Sequence, residues 1–160
     1  MKTHTLIIRA QNSDGVLGKI TNLLRRRMFN IEGLTAGTTD QKGISQITVS
    51  FSGAGENKLN AEQAKKQLSK IIEILTVRDA DENTISRELG LFRLHASEKN
   101  KPAIFDAVKV CGGKIIASGK KSVVVEVCGS ADEIENFLEI AKTFGIQEFA
   151  RSSGTAIKRI

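Results

Sequence analysis

Apolar and polar residues alternate from the start of the chain. Over residues 3–10, Leu6, Ile8 and Ala10 fall on one side and Thr5, Ile7 and Arg9 on the other, which predicts a strand. Asn12-Ser13-Asp14-Gly15 then predicts a turn that opens a helix. Beyond it the period changes: Val16, Leu17, Ile20, Leu23 and Leu24 recur at the three-and-four spacing of one helical face. Arg25, Arg26 and Arg27 close that helix at its negative end. A strand over 30–39, a turn at Gln41-Lys42-Gly43 and a strand over 45–52 follow. In the last of these Ile47, Val49 and Phe51 point inward and Gln46, Thr48 and Ser50 outward. A second helix is expected from Asn60, with Asn60 and Gln63 as a capping box and Ala64, Leu68 and Ile71 as its apolar edge. Residues 72–79 supply a fourth strand.

The same order then returns. Residues 87–96 predict a strand, and Asn100 with Pro102 opens a helix carrying Ile104, Phe105 and Val108. Residues 114–118 and 122–128 form a hairpin around Gly119-Lys120. Ser130 and Glu133 make a capping box for a helix bearing Ile134, Phe137, Leu138, Ala141 and Phe144, which Gly145 stops. Residues 146–151 are the last strand. The pattern is βαββαβ twice, so the expected class is α+β with two tandem ferredoxin-like domains, each an antiparallel sheet with two helices on one face. The expected domains are 1–79 and 87–160, joined by the short polar stretch 80–86. Leu89 and Leu91 fall on the opposite face from Phe92 and Leu94, leaving apolar groups on both faces of the second sheet. A homodimer would cover them.

Composition narrows the function. The 160 residues are 40% hydrophobic and 26% charged, a globular balance with a single Pro. No apolar run approaches the roughly 20 residues needed to cross a bilayer, and Arg9 stands where a signal peptide keeps its apolar stretch. A cytoplasmic address without membrane association is expected, and two cysteines suit that reducing compartment. Aromatic residues are 4%, all of them Phe, which argues against base-stacking and nucleic-acid partners. Of the net +6, residues 1–80 hold most, with twelve basic against seven acidic residues.

Catalytic and metal-binding patterns are missing from the residue spacing. His4 and His95 sit on different predicted strands in different halves, and read as strand or surface histidines. Cys111 and Cys128 lack any metal-ligand spacing and read as small buried hydrophobes. What remains is the loop Gln11–Gly15, running off a strand onto a helix N-terminus where free amides and the positive dipole end favour an anion. Two readings stand for it, an ordinary connection and a carboxylate site. In the second, Asn12 donates a hydrogen bond, Gly15 lets a ligand approach, and Asn30-Ile31 adds an amide beside an apolar group. Val16, Leu17 or Ile31 would accept an aliphatic side chain, so the ligand expected is an amino acid.

Here the residues match a family. Asn12-Ser13-Asp14-Gly15-Val16-Leu17, then Arg25-Arg26-Arg27-Met28-Phe29-Asn30-Ile31-Glu32-Gly33-Leu34-Thr35, resemble the ACT domain of the acetohydroxyacid synthase (acetolactate synthase) small, regulatory subunit. The resemblance continues through Ser86-Arg87-Glu88-Leu89-Gly90-Leu91 and Phe144-Gly145-Ile146-Gln147-Glu148-Phe149-Ala150-Arg151. It implies a homodimer whose N-terminal sheets join side by side, with an effector at the junction. Asn12, Ser13, Asp14, Gly15, Val16 and Leu17 of one chain would hold it together with Asn30 and Ile31 of the other. The implied effector is a branched-chain amino acid, valine in particular. The subunit itself is implied to be non-catalytic and to bind no cofactor: thiamine diphosphate, Mg and FAD belong to the large catalytic subunit, which it activates and makes sensitive to feedback. Three departures accompany the match. Met28 stands where the family usually has Gly, Lys19 where it has Arg, and Ala150-Arg151-Ser152-Ser153-Gly154 replaces the common Ala-Arg-Thr-Gly. An ACT-type sensor serving another enzyme or regulator is the alternative. An RNA-binding ferredoxin-like module is a weaker one, because its first and third strands offer only Phe51, on the core side.

Overall fold

A computed structural model describes residues 3–53 and 58–159. The chain divides into two compact units, one of residues 1–85 with 156–160 and one of residues 86–155.

In the first unit, β1 (His4–Gln11), α1 (Val16–Arg26), β2 (Phe29–Thr38), β3 (Ile44–Gly53), α2 (Lys58–Leu68) and β4 (Ile74–Asp79) follow the expected order. The sheet runs β2-β3-β1-β4, antiparallel throughout, so β2 and β4 are its two edges. The inward residues Leu6, Ile8, Ala10, Ile47, Val49 and Phe51 are buried in one cluster with Val16, Ile20, Leu24, Ala64 and Leu68 of the helices. This is the packing that the two periodicities demand, a strand face of period 2 against helix stripes of period 3.6. On the opposite face, Gln46 Nε2 donates to the Ala156 carbonyl at 2.8 Å, which brings the returning C-terminal segment to this sheet.

Two local expectations change here. Helix α2 begins at Lys58, so Asn60 lies inside it and is not its N-cap. Residues 71–73 form a turn, with the Ile74 amide donating to the Ile71 carbonyl at 3.0 Å, so β4 starts two residues later than its apolar run suggested. The consequence is an almost fully exposed Ile72.

The second unit contains most of β5 (Thr84–His95), then α3 (Lys101–Val110), β6 (Lys114–Ser118), β7 (Ser122–Gly129), α4 (Ala131–Phe144) and β8 (Ile146–Arg151) in the order β6-β7-β5-β8. A short β9 (Thr155–Lys158), unpredicted because only four residues carry it past Ser152-Ser153-Gly154, pairs with β5. Residues 84–86 of the expected linker are likewise strand rather than connector. Phe92, Leu94, Val123, Val125, Val127, Ile104, Ile134 and Phe137 form the core, with the Phe92 ring edge-on to Phe137 at 4.8 Å. The Ser130–Glu133 capping box is present in full, each residue's side chain accepting from the other's amide. Leu89 and Leu91 stand on the far face and are about two-fifths exposed, at 37% and 40%. Cys128, facing Leu89 across the ladder, is exposed there as well, so the burial expected of it is overturned by its strand parity.

Candidate effector corner

The loop after β1 is held by three backbone hydrogen bonds. The Gln11 amide donates to the Glu73 carbonyl at 2.8 Å, the Asn12 amide to the Gly43 carbonyl at 2.8 Å, and the Ser13 amide to the Gln11 carbonyl at 3.0 Å. Gly15 then takes a left-handed conformation (φ 80°) at the N-cap of α1, a position glycine occupies without the Cβ clash other residues meet. No side chain caps this helix. Asn12, which could have done so, leaves its side chain free for another partner. The first-turn amides of α1 therefore meet an open corner at the positive end of the helix dipole.

Asn12, Ser13, Asp14 and Gly15 are all exposed, and Leu17 is 41% exposed, so each can touch a small molecule from solvent. Val16 is different: its side chain is 4% exposed and packs in the core, which leaves only its amide for a ligand. The aliphatic contact expected from Val16 therefore falls to Leu17.

Asn30 and Ile31 do not join this corner within one chain. Ile31 pairs with Phe51, which pairs with His4 at the start of β1, whereas Gln11 pairs with Ile44 at its end. Seven residue steps of about 3.4 Å separate the two ends, roughly 24 Å. Asn30 is exposed and Ile31 half-buried at the start of the edge strand β2. A bulge follows between Ile31 and Gly33, the kind of irregularity edge strands often carry. Glu32, the residue it sets out of register, has its carboxyl lowered below its ordinary value by hydrogen bonds from Ser52 and Thr3.

Sequence reasoning missed the residues that brace the corner. Lys19 donates its amide to the Gly15 carbonyl at 2.9 Å, and its ammonium pairs with the Glu73 carboxylate. That contact holds the Glu73 carboxyl below its ordinary value. The fourth-residue spacing from Gly15 could have flagged Lys19. Nothing local could have flagged Glu73, 54 residues further on.

Elsewhere, no group of three His, Cys, Asp or Glu side chains able to hold a metal converges among the described residues. Phe51 is fully buried, so the central strands offer no base-stacking platform. No helix among the described residues is long and apolar enough to cross a membrane.

Known proteins resemble both units. A family model described as the AHAS small subunit-like ACT domain matches residues 6–76, and one described as the small subunit of acetolactate synthase matches residues 87–160. A probable acetolactate synthase small subunit of Archaeoglobus fulgidus is 35% identical over 98% of this chain and 96% of its own length. The acetolactate synthase small subunit of Bacillus subtilis is 36% identical over 92% of this chain and 86% of its own. The crystal structure of the acetolactate synthase small subunit from Thermotoga maritima superposes with a TM-score of 0.88 at 29% identity, covering 100% of this chain and 99% of that one.

Proposed function

The chain belongs to the acetolactate synthase small-subunit family, and from that premise we propose that its first unit senses a branched-chain amino acid, valine in particular, between two copies of itself. The family's subunit is regulatory and non-catalytic, associates with the large catalytic subunit, and serves branched-chain amino acid biosynthesis. Carboligation and its cofactors lie with that partner.

One observation carries the effector reading. The uncapped corner Asn12–Leu17 and the Asn30–Ile31 pair sit at opposite ends of one sheet whose β2 edge is open. A two-fold that sets β2 antiparallel beside its twin brings the start of the twin's β2 to the end of this one, and so to the corner. Such an interface is self-complementary. The amino acid's carboxylate then meets the α1 amides, Asn12 and Asn30 from two chains bind its polar atoms, and Leu17 and Ile31 line its side chain.

A ligand shared by two chains stabilises the arrangement in which both halves of its site meet. Couplings of this kind are worth about 1–3 kcal/mol. The large subunit, activated by the docked dimer, reads that arrangement as inhibition. The experiment is valine inhibition of the reconstituted holoenzyme with Asn12→Ala: inhibition is lost while activation persists. Undiminished inhibition defeats the site.

A further inference from the structure

We infer that the groove between α1 and the turn that follows α2 is where the large catalytic subunit docks, and that it takes from that subunit a segment carrying carboxylates beside aliphatic side chains. The inference rests on the regulatory-subunit reading. Leu23, Ile71 and Ile72 line a cavity of about 320 Å³ whose other walls are Lys19, Arg26, Lys70 and Glu73. Ile72 is 90% exposed, in the turn that carries the chain from α2 into β4. Glu73 neutralises Lys19. The other two lining cations, Arg26 and Lys70, have no acidic partner among the described residues.

A cation at one helix end is ordinary. Arg26 on α1 and Lys70 after α2, two cations from different elements lining one groove beside an exposed isoleucine, make a surface complementary to an acidic and aliphatic one. A second copy of this chain fits poorly, because the same cations would face one another. The Ile71, Ile72 and Glu73 wall of the groove leads into β4, the sheet edge opposite β2. Lys19 and Glu73 belong to both the groove and the brace of the corner. Occupancy at one can therefore bias the other through two residues.

The test measures binding of the full-length chain to its large subunit by interferometry at about 0.1 M salt, where charge contacts a Debye length apart are still felt. Arg26→Glu/Lys70→Glu is expected to weaken binding at least tenfold, and Ile72→Ser to weaken it several-fold with less salt dependence. Activation should fall in parallel, with circular dichroism and melting temperature unchanged. Binding of the double reversal within twofold of the parent overturns the docking surface alone. Failure of the unmutated chain to bind the large subunit overturns the regulatory reading and this inference with it. Tight binding of single-stranded RNA, lost in the reversal while large-subunit binding is kept, overturns the docking surface in favour of a nucleic-acid one.

Discussion

Lys19 and Glu73 close a ring around the candidate effector corner. The Lys19 amide holds the Gly15 carbonyl, the Glu73 carbonyl holds the Gln11 amide, and the two side chains hold each other. Helix α1 and the lead-in to β4 thus grip the loop from both ends. The Lys19 side chain is 52% exposed, and an exposed ion pair adds little to global stability. Its effect should lie in how well the corner is pre-arranged. Lys19→Ala should weaken valine binding several-fold by calorimetry with little change in melting temperature. Lys19→Arg, which restores the charge, should bind like the parent.

The same pair sets a pH dependence. The carboxyl of Glu73 titrates below its ordinary value of 4.5, chiefly because Lys19 hydrogen-bonds it. A carboxylate depressed in the folded state contributes stability above its unfolded pKa and loses it as pH falls through the folded value. The brace is therefore intact at neutral pH and fails below the ordinary glutamate range. Valine affinity in the Lys19→Ala protein should be less sensitive to acidification below about pH 5 than that of the parent.

Asn12 and Asn30 occupy opposite ends of their own sheet, so the proposed two-chain site is separable by mixing. Homodimers of Asn12→Ala and of Asn30→Ala should each lack tight valine binding. In a mixed dimer one site carries both substitutions and the other carries neither. Titration of co-expressed, differently tagged chains should then find about half the parental sites, a count expected of a shared site but not of a site within one chain.

Met28 takes a left-handed backbone conformation (φ 60°), the only residue other than glycine to do so among those described. It ends the exit from α1 with its side chain 79% exposed, so nothing in the packing compensates for the strain. The left-handed form costs an L-residue about 1–2 kcal/mol, and glycine returns part of that saving as unfolded-chain entropy. Met28→Gly should stabilise the protein by roughly 0.5–1 kcal/mol, read as a rise of a few degrees in melting temperature. Met28 thus carries a cost in stability at a site away from Asn12.

Ser130 and Glu133 offer the matching loss. Ser130→Ala removes the side-chain acceptor for the Glu133 amide and should cost about 1 kcal/mol by denaturant unfolding. Glu133 is held below its ordinary value, first by the Ser130 amide and then by the Ser130 hydroxyl. That contribution is full above the unfolded glutamate pKa and is lost on acidification below it in the parent and in Ser130→Ala alike, because the Ser130 amide is kept; the gap between the two stability curves should therefore narrow but persist below about pH 4.

The core-facing strand positions, the four helices among the described residues and the Ser130 box were legible in the residue order, because burial imposes a period of 2 or 3.6 and a cap reaches only three residues; the burial of Thr48, expected to face outward, was not. Lys19 with Glu73, the Gly43 carbonyl on the Asn12 amide, the exposure of Ile72 and Cys128, and the distance from Asn12 to Asn30 were not legible. Each depends on strand order, register or the residue at which a turn ends, and those are set by contacts between segments far apart in the chain. The sequence by itself determined two βαββαβ units and a glycine-opened corner ahead of α1. Only the tertiary structure decided that Val16 is spent on the core, that the corner is braced from β4, and that Asn30 lies about 24 Å away along the sheet, since a strand pattern specifies which face a residue takes but not which neighbour it meets.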